Sequence, residues 1–198
     1  MPARPTTGTI ETPAGTLTFE LYTDAAPEST ANFIRYAGEG LYDGGSFYRA
    51  TDQQATSHGA CCITIVQGGR LGESMAGSPA EIMAALVASP YPPVAHEPTN
   101  NTGRRNVRGA LAFGRAEPGT ATSEFFVSLE DNPILDAGGT GHPDGFGYAV
   151  FGRITSGLEF LSVLRLSPRR PGSGPFADQL LEEPLAITRV TVDGLDQR

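Results

Sequence analysis

The stretch GGSFYRATDQQATSHGACCITIVQGGRLG, residues 44–72, contains two short runs with the residue pattern of β-strands. The run SFYR ends in Arg49, the run ITIVQGG contains Gln67, and a polar excursion separates the two. Short apolar and β-branched runs bounded by turn residues are typical of strands. We therefore expect two strands whose ends converge, with Arg49 and Gln67 facing one another across a shallow groove.

The same pattern recurs along the chain. Residues 8–22 alternate on both sides of Pro13-Ala14-Gly15, which predicts a β-hairpin with one buried face. Further strand-like runs are GALAF, SEFFVSL, YAVFGRI and LAITRVTVDG. This gives about eight strands, and closing such a sheet would remove its exposed edges. The periodicity leaves a β-barrel and a β-sandwich open.

Two principal helices are expected beside these strands. Asp24 is a candidate N-cap, Pro27 and Glu28 suit a first helical turn, and Phe33 and Tyr36 repeat at helical spacing. The run SGLEFLSVLRL predicts the second helix. A short surface helix is also expected near residues 79–88, where a serine precedes a proline.

Length and composition exclude several classes of protein. The 198 residues suit one domain, so residues 1–198 are expected to form a single unit. The net charge of -8 argues against a nucleic-acid partner. The N-terminal residues lack the apolar core of a signal peptide, and no 18 apolar residues run together. These features predict a soluble cytoplasmic protein without a membrane partner.

The two cysteines, Cys61 and Cys62, are adjacent. Neighbouring cysteines rarely reach relaxed disulfide geometry, so two thiols are expected, with a dithiol redox switch as the alternative. The histidines, His58, His96 and His142, are far apart in the sequence and show no ligand spacing. No metal site is expected.

Several motifs together resemble the cyclophilins, the peptidyl-prolyl cis-trans isomerases. They are APESTANFIRYAGEGLYDGGSFYR, VQGG, GALAFGRAEPGTATSEFFVSL and GYAVFGRI, in this order. The resemblance covers roughly residues 6–166 and the final strand, and it is greatest to the bacterial branch, which has a tyrosine where Tyr148 stands. It implies a mainly β fold, a closed eight-stranded antiparallel β-barrel capped by two α-helices, with an extra short helix in an insertion.

The resemblance also implies an enzyme that accelerates rotation about X-Pro bonds, for which the uncatalysed barrier is about 18–20 kcal/mol. Arg49 is the implied catalytic residue. A guanidinium is permanently charged, and it can donate a hydrogen bond to the imide nitrogen only once the amide has rotated. Such chemistry implies no cofactor. The implied partners are proline-containing peptides or unfolded proteins, bound by a monomer.

Around this arginine, the resemblance implies a peptide-binding groove. Gln67 is expected to position the guanidinium or the substrate backbone, and Phe126 to form the floor of a proline pocket, with Leu135 and Tyr148 as its far wall. The backbone of residues 113–116 is expected to pair with an extended peptide. The implied substrate-binding residues are Phe47, Thr64, Ile65, Gln67, Phe113, Gly114, Arg115, Ala116, Glu124, Phe126, Ile134, Leu135 and Tyr148.

Each of these residues has a simpler interpretation when it is taken alone. Arg49 is then a surface arginine whose stem covers apolar neighbours. Phe126 is then a core residue, as its neighbour Phe125 is expected to be. Gln67 carries no signal by itself, and Tyr148 is as easily a residue of the barrel wall.

The chain departs from the family pattern at several positions. Tyr48 replaces a histidine beside the arginine, with little expected chemical cost, and residues 52–62 lengthen the following loop. Ile134 stands where cyclosporin-sensitive members have tryptophan, so weak or no cyclosporin binding is expected.

Two further departures affect the groove. Thr64 replaces an aromatic residue and is expected to make one pocket wall small and polar. Glu124 replaces a glutamine with an acid close to the groove that could pair with Arg49 and compete for its hydrogen-bond donors. The alternative function is therefore a catalytically weak proline-binding or chaperone module on the same fold. An unrelated β-barrel for small molecules would leave the motifs unexplained.

Overall fold

The computed structural model describes residues 5–53, 62–171 and 176–194. In this part of the chain, all strands belong to one nine-stranded sheet whose pairings are antiparallel, in the order β8-β3-β4-β6-β5-β7-β2-β1-β9. The strands are β1 (Thr6–Thr12), β2 (Gly15–Leu21), β3 (Ser46–Ala50), β4 (Ile65–Gly69), β5 (Ala110–Phe113), β6 (Phe125–Ser128), β7 (Val150–Ser156), β8 (Leu180–Ala186) and β9 (Arg189–Val192).

The two end strands of this sheet are consecutive in the chain. β8 pairs with β3, β9 pairs with β1, and only Ile187 and Thr188 separate β8 from β9. The sheet must therefore curl until its ends meet. The mainly β class is confirmed, but the closed eight-stranded barrel is wrong in detail. There are nine strands, and β8 and β9 do not pair with each other within the described residues.

The helices agree largely with the sequence prediction. The first expected helix is α1 (Pro27–Gly38), and the short surface helix is α2 (Pro79–Val87). A single unexpected turn, α3 (Thr99–Thr102), lies in a stretch rich in proline and asparagine. The second principal helix is α4 (Leu158–Ser162), which a 3₁₀ turn extends. The 3₁₀ turns are Gly72–Ala76, Pro133–Leu135 and Val163–Leu166.

The start of α1 is stabilised from outside the helix. Asp24 is not its cap, because Ala26 occupies the N-cap position and no side-chain cap is formed there. Instead the Glu97 carboxylate accepts hydrogen bonds from the backbone N–H groups of Glu28, at 3.1 Å, and Ser29, at 2.8 Å. A negative charge at this end also complements the helix dipole. A loop carboxylate thus performs the function expected of Asp24.

One face of α1 fills the hollow of the curled sheet. The Phe33 ring lies 5.2–5.7 Å from the rings of Phe19, Tyr42, Phe125 and Phe151. Each of these side chains is fully buried. Aromatic clusters of this kind dominate core energetics through buried area and edge-to-face contacts. The main core therefore lies between α1 and the sheet.

A smaller apolar cluster lies beside β3. Tyr48 packs there with Leu71, Met75 and Ile82, so α2 is joined to the back of β3. The cap of α2 is the expected serine, Ser78, which forms a capping box with the third residue of the helix.

The expectation of two thiols is wrong for Cys62, which is disulfide-bonded. Residues 54–61 of the predicted long loop, which include Cys61, lie outside the described residues. None of the described helices is both long and apolar enough to cross a membrane.

Candidate active site

Three neighbouring strands bring three predicted residues to the same level of the sheet. Arg49 of β3 is directly opposite Gln67 of β4, and Gln67 is directly opposite Phe126 of β6. Directly opposed residues of antiparallel strands project to the same face and contact each other. The strand register therefore places a cation, an amide and an aromatic ring side by side.

These side chains line one small cavity of about 80 Å³. Most of its lining was predicted from the sequence, but Ile63 and Phe176 were not. The lining residues are Arg49, Ile63, Ile65, Gln67, Gly114, Arg115, Phe126, Leu135, Tyr148 and Phe176. The cavity lining thus combines two arginines, Arg49 and Arg115, with mostly apolar side chains.

The guanidinium of Arg49 is buried and held on two edges. Its Nη1 donates to Gln67 Oε1 at 2.7 Å, and its Nε and Nη2 donate to Gln179 Oε1 at 2.8 and 2.6 Å. The Phe176 ring lies over the guanidinium carbon, with its centroid 4.6 Å away. Burial lowers the pKa of Arg49 to about 10, so the side chain stays charged at neutral pH.

The apolar side of the cavity is built around Phe126. Its ring meets the Tyr148 ring edge-on at 5.5 Å and 85°, and Leu135 and the isoleucines Ile63 and Ile65 complete the same cluster. Phe126 and Leu135 are 3% and 2% exposed. An apolar hollow therefore opens beside a fixed cation, an arrangement suited to a ligand that is apolar at one end and polar at the other.

Arg115 fixes the segment that carries Tyr148. Its guanidinium makes a two-pronged ion pair with Asp144, at 2.7 and 2.9 Å, and also donates to the Gly147 carbonyl. The hydrogen bond from Arg115 holds the pKa of the Asp144 carboxyl well below its usual range. The backbone N–H of Tyr148 donates to the Leu135 carbonyl at 2.9 Å. The far wall of the cavity is thus anchored by a charged pair.

The backbone expected to pair with a peptide is already partly occupied. The N–H groups of Phe113 and Gly114 donate to the carbonyls of Ala149 and Glu124, and that of Ala116 donates to Thr120 Oγ1. Any strand addition along residues 113–116 must therefore use the Arg115 N–H or carbonyl oxygens.

Comparison of the sequence with known protein families agrees with the geometry of this cavity. The sequence model of the family described as "Cyclophilin type peptidyl-prolyl cis-trans isomerase/CLD" matches residues 7–192. This chain belongs to the cyclophilin family.

Curated relatives of this cyclophilin include several bacterial isomerases. It is 34% identical to "Peptidyl-prolyl cis-trans isomerase A" of Dickeya dadantii, over 76% of this chain and 66% of the relative. It is 31% identical to "Peptidyl-prolyl cis-trans isomerase cyp18" of Streptomyces antibioticus, over 79% of this chain and 81% of the relative.

Solved structures show the same fold. A cyclophilin-type isomerase of Cryptosporidium parvum superposes with a TM-score of 0.67 at 19% identity, over 96% of this chain and 99% of that chain. A second crystal structure of it, in the presence of the dipeptide Ala-Pro, gives a TM-score of 0.65 at 20% identity, with the same coverage.

Some predicted groove residues lie elsewhere in this cyclophilin. Thr64 does not line the cavity: its hydroxyl accepts from the backbone and side-chain N–H groups of Gln53, and its own N–H donates to Asn132 Oδ1. Side chains alternate along a strand, so Ile63 and Ile65 face the cavity while Thr64 faces away. The expected polar wall is instead apolar.

Five other predicted residues also lie outside the cavity lining, and Glu124 is described separately below. Phe47 and Phe113 belong to the main core, where Phe113 stacks on Phe151 at 4.3 Å. Ile134 packs against the cluster around Phe126. Ala116 contributes the backbone contacts given above.

Glu124 does not pair with Arg49 as expected. Its Oε1 accepts from the Leu71 N–H and from the Ser123 hydroxyl, both at 3.0 Å. Its Oε2 is buried and has no hydrogen bond of normal geometry within the described residues. The side chain lies under the close turn at Gly69, where an added Cβ would come within 2.6 Å of the carboxylate. Burial raises the pKa of Glu124 to about 7.

Ile63, Phe176 and Gln179 are the site residues that the sequence prediction missed. Ile63 could have been found, because Ile63, Ile65 and Gln67 alternate as one strand face does. Phe176 and Gln179 lie far from Arg49 in sequence, next to a stretch rich in glycine and proline, and no local pattern connects them to the site.

Proposed function

We propose that this cyclophilin accelerates cis-trans rotation about X-Pro bonds in peptides and folding proteins. The observation that carries the proposal is the placement of the Arg49 guanidinium and the Phe126 ring in the wall of one cavity, at the same level of the sheet on the two strands that flank β4. The names of the relatives, and the crystal structure of a fold relative determined in the presence of the dipeptide Ala-Pro, support proline-containing chains as substrates.

In this proposal the apolar side of the cavity takes the pyrrolidine ring. Proline's ring is apolar, and burying it against Phe126, Leu135 and Tyr148 holds one side of the imide bond while the other side turns. With the proline ring held in place, binding energy is used to orient the imide bond for rotation. Arg115 supports this by anchoring the segment that ends in Tyr148.

The Arg49 guanidinium supplies the electrostatic step. Rotation breaks amide resonance and returns a lone pair to the imide nitrogen. An N–H of Arg49 then donates to that lone pair, a bond that the planar ground state does not offer, so it lowers the barrier selectively. A preorganised donor of this kind typically contributes on the order of 3 kcal/mol. No covalent intermediate and no cofactor enter this scheme.

One observation favours the alternative of a weakly active proline-binding or chaperone module. A guanidinium has five N–H groups, and three of those in Arg49 already donate to Gln67 and Gln179. Should the remaining two point away from the imide nitrogen, the cavity would bind proline without accelerating its rotation.

A protease-coupled assay on an Ala-Ala-Pro-Phe-type peptide separates the two functions. We expect catalysis by the wild type and a fall in kcat/KM of about 10²-fold to 10³-fold in Arg49→Ala, the loss typical of one removed electrostatic donor. If the wild type binds the peptide but does not accelerate its cis-trans rotation, the proposed enzyme function is wrong and the binding module is the function.

Three further properties stay predictions: a monomeric state, a cytoplasmic location and weak or absent cyclosporin binding. The last follows from Ile134, and a titration that gave sub-micromolar affinity for cyclosporin would contradict it.

A further inference from the structure

The chain immediately before β8 reaches the candidate catalytic arginine. Phe176 and Gln179 contact the Arg49 side chain, although Gln179 is separated from it by 130 positions in the sequence. Neither residue belongs to the motifs that identify the family in this chain, and the segment lies outside the sheet's strands. These contacts therefore constitute a feature of the site beyond the proposed Arg49–Gln67–Phe126 arrangement.

Gln179 holds the edge of the guanidinium that Gln67 leaves open. One acceptor atom, Oε1 of Gln179, receives both the Nε and the Nη2 hydrogen bonds, whereas Gln67 receives one bond from Nη1. Contacts on two edges of a planar group fix its orientation in its own plane, and Gln179 is itself only 7% exposed. The other two N–H groups of the guanidinium are thereby held in one direction.

Phe176 restricts movement of the guanidinium out of its own plane. Its ring covers one face of the group, and the same side chain packs against the cluster of Tyr48 and Leu71 behind β3. A cation beside an aromatic face is stabilised most where water is excluded. Phe176 also lines the cavity, so its ring is accessible to whatever occupies the cavity.

We propose that Gln179 is a second positioning residue for Arg49, and that Phe176 determines specificity by contacting a large apolar side chain next to the substrate proline. The inference rests on the proposed function for its substrate. A cavity of about 80 Å³ accommodates little beyond a proline ring, so a residue that flanks the proline must lie at the rim. Phe176 covers the Arg49 guanidinium at that cavity, and its ring offers such a residue an apolar surface.

The positioning function of Gln179 is tested first without reference to activity. The readout is the Arg49 Nε–H resonance in a ¹⁵N NMR spectrum, assigned by its loss in Arg49→Lys. Gln179→Met, which has similar length but no amide acceptor, should shift this signal and speed its exchange with water. Gln179→Glu, which keeps an acceptor, should preserve slow exchange. Gln67→Met is the matched control, because Gln67 contacts Nη1 and not Nε.

Kinetics then connect this contact to turnover. Gln179→Met should lower kcat about 10-fold or more with little change in KM, as the loss of a hydrogen bond to a charged group predicts, and Gln179→Glu should recover most of it. An unchanged Nε–H signal and unchanged kcat in Gln179→Met would overturn the positioning function. If the wild type shows no isomerase activity, the proposed function fails, and the NMR result still decides the inference about Gln179.

The specificity function of Phe176 is tested by binding. Peptides that carry phenylalanine, leucine, alanine or glycine next to proline are titrated into the wild type, Phe176→Ala and Phe160→Ala. Phe160 is a half-buried phenylalanine of α4 outside the cavity lining. The wild type and Phe160→Ala should bind the phenylalanine and leucine peptides about 10-fold more tightly than the glycine peptide. Phe176→Ala should bind all four alike.

Retention of the full preference by Phe176→Ala, or its absence from the wild type, would overturn this assignment. A wild type that binds none of the peptides contradicts the proposed function as well as the specificity of Phe176, and only the NMR experiment then bears on Gln179.

Discussion

Arg49 and Gln67 are directly opposite each other on β3 and β4, and the Arg49 Nη1 donates to Gln67 Oε1 at 2.7 Å. The contact is therefore set by the register of two paired strands and not by a loop. Sites built on strands position their side chains more precisely than sites built on loops do. We therefore propose that Gln67 is a positioning residue for the guanidinium.

Replacing Gln67 by methionine should remove the hydrogen bond to Arg49 while keeping a side chain of similar length in the cavity wall. We expect Gln67→Met to lower kcat about 10-fold with a smaller change in KM, because one hydrogen bond to a charged group is lost. Steady-state kinetics on the proline peptide measure the effect. Gln53→Met, at an exposed glutamine outside the cavity, is the control and should leave kcat unchanged. Equal kinetics for the wild type and Gln67→Met would contradict the positioning function.

The adjacent phenylalanines Phe125 and Phe126 should respond differently to truncation. Phe125 is fully buried among the core rings of Phe33, Tyr42 and Phe47, whereas Phe126 borders the cavity. Removing a core phenylalanine typically costs about 3–5 kcal/mol, and a site that borders a cavity loses fewer contacts.

We therefore expect Phe125→Ala to lower the free energy of unfolding more than Phe126→Ala does, and Phe126→Ala to weaken proline-peptide binding. Urea denaturation and peptide titration of both variants measure this. A larger loss of stability in Phe126→Ala, with unchanged peptide binding, would show that Phe126 is only a core residue.

The buried carboxyl of Glu124 should make the protein less stable as the pH rises. Its pKa is about 7 in the folded protein against an ordinary value of 4.5, mainly because burial disfavours the charge. Between these values the folded state binds a proton that the unfolded chain releases, so the free energy of unfolding falls with rising pH. The shift corresponds to about 3 kcal/mol, lost between roughly pH 4.5 and 7.

The variant Glu124→Gln removes this titration and keeps an oxygen to accept from Leu71 and Ser123. The free energy of unfolding, measured with urea at pH 5 and pH 8, should fall less in Glu124→Gln than in the wild type. Other titrating groups are common to both proteins and cancel in this comparison. Identical pH dependence in both would show that the Glu124 carboxyl titrates normally.

Local sequence patterns predicted most of the sheet, because each strand buries one face and alternates accordingly. They missed β8, whose sequence LLEEPLA does not alternate and contains Pro184. Proline is tolerated there because β8 is an end strand of the sheet, where a missing N–H need not break a ladder. The single expected C-terminal strand is therefore two strands, on either side of Ile187-Thr188.

The sequence predicted which side chains lie together where strand register alone brings them together, as for Arg49, Gln67 and Phe126. It was mispredicted where a side chain has a competing partner. The sequence suggested that Glu124 could pair with Arg49, but its carboxylate accepts hydrogen bonds from the Leu71 N–H and the Ser123 hydroxyl instead. Contacts such as Arg49–Gln179 depend on how the chain returns after α4, and no local signal encodes them.

The central claim is that the forked geometry of Arg49, and not its charge alone, accelerates rotation. Arg49→Lys keeps a positive charge but replaces the planar fork by a flexible ammonium. NMR exchange spectroscopy at equilibrium measures the cis-trans exchange rate of a proline peptide with each protein. We predict strong acceleration by the wild type and a loss of at least about 10-fold in Arg49→Lys, with peptide affinity nearly unchanged. Equal acceleration by both proteins would contradict the claim.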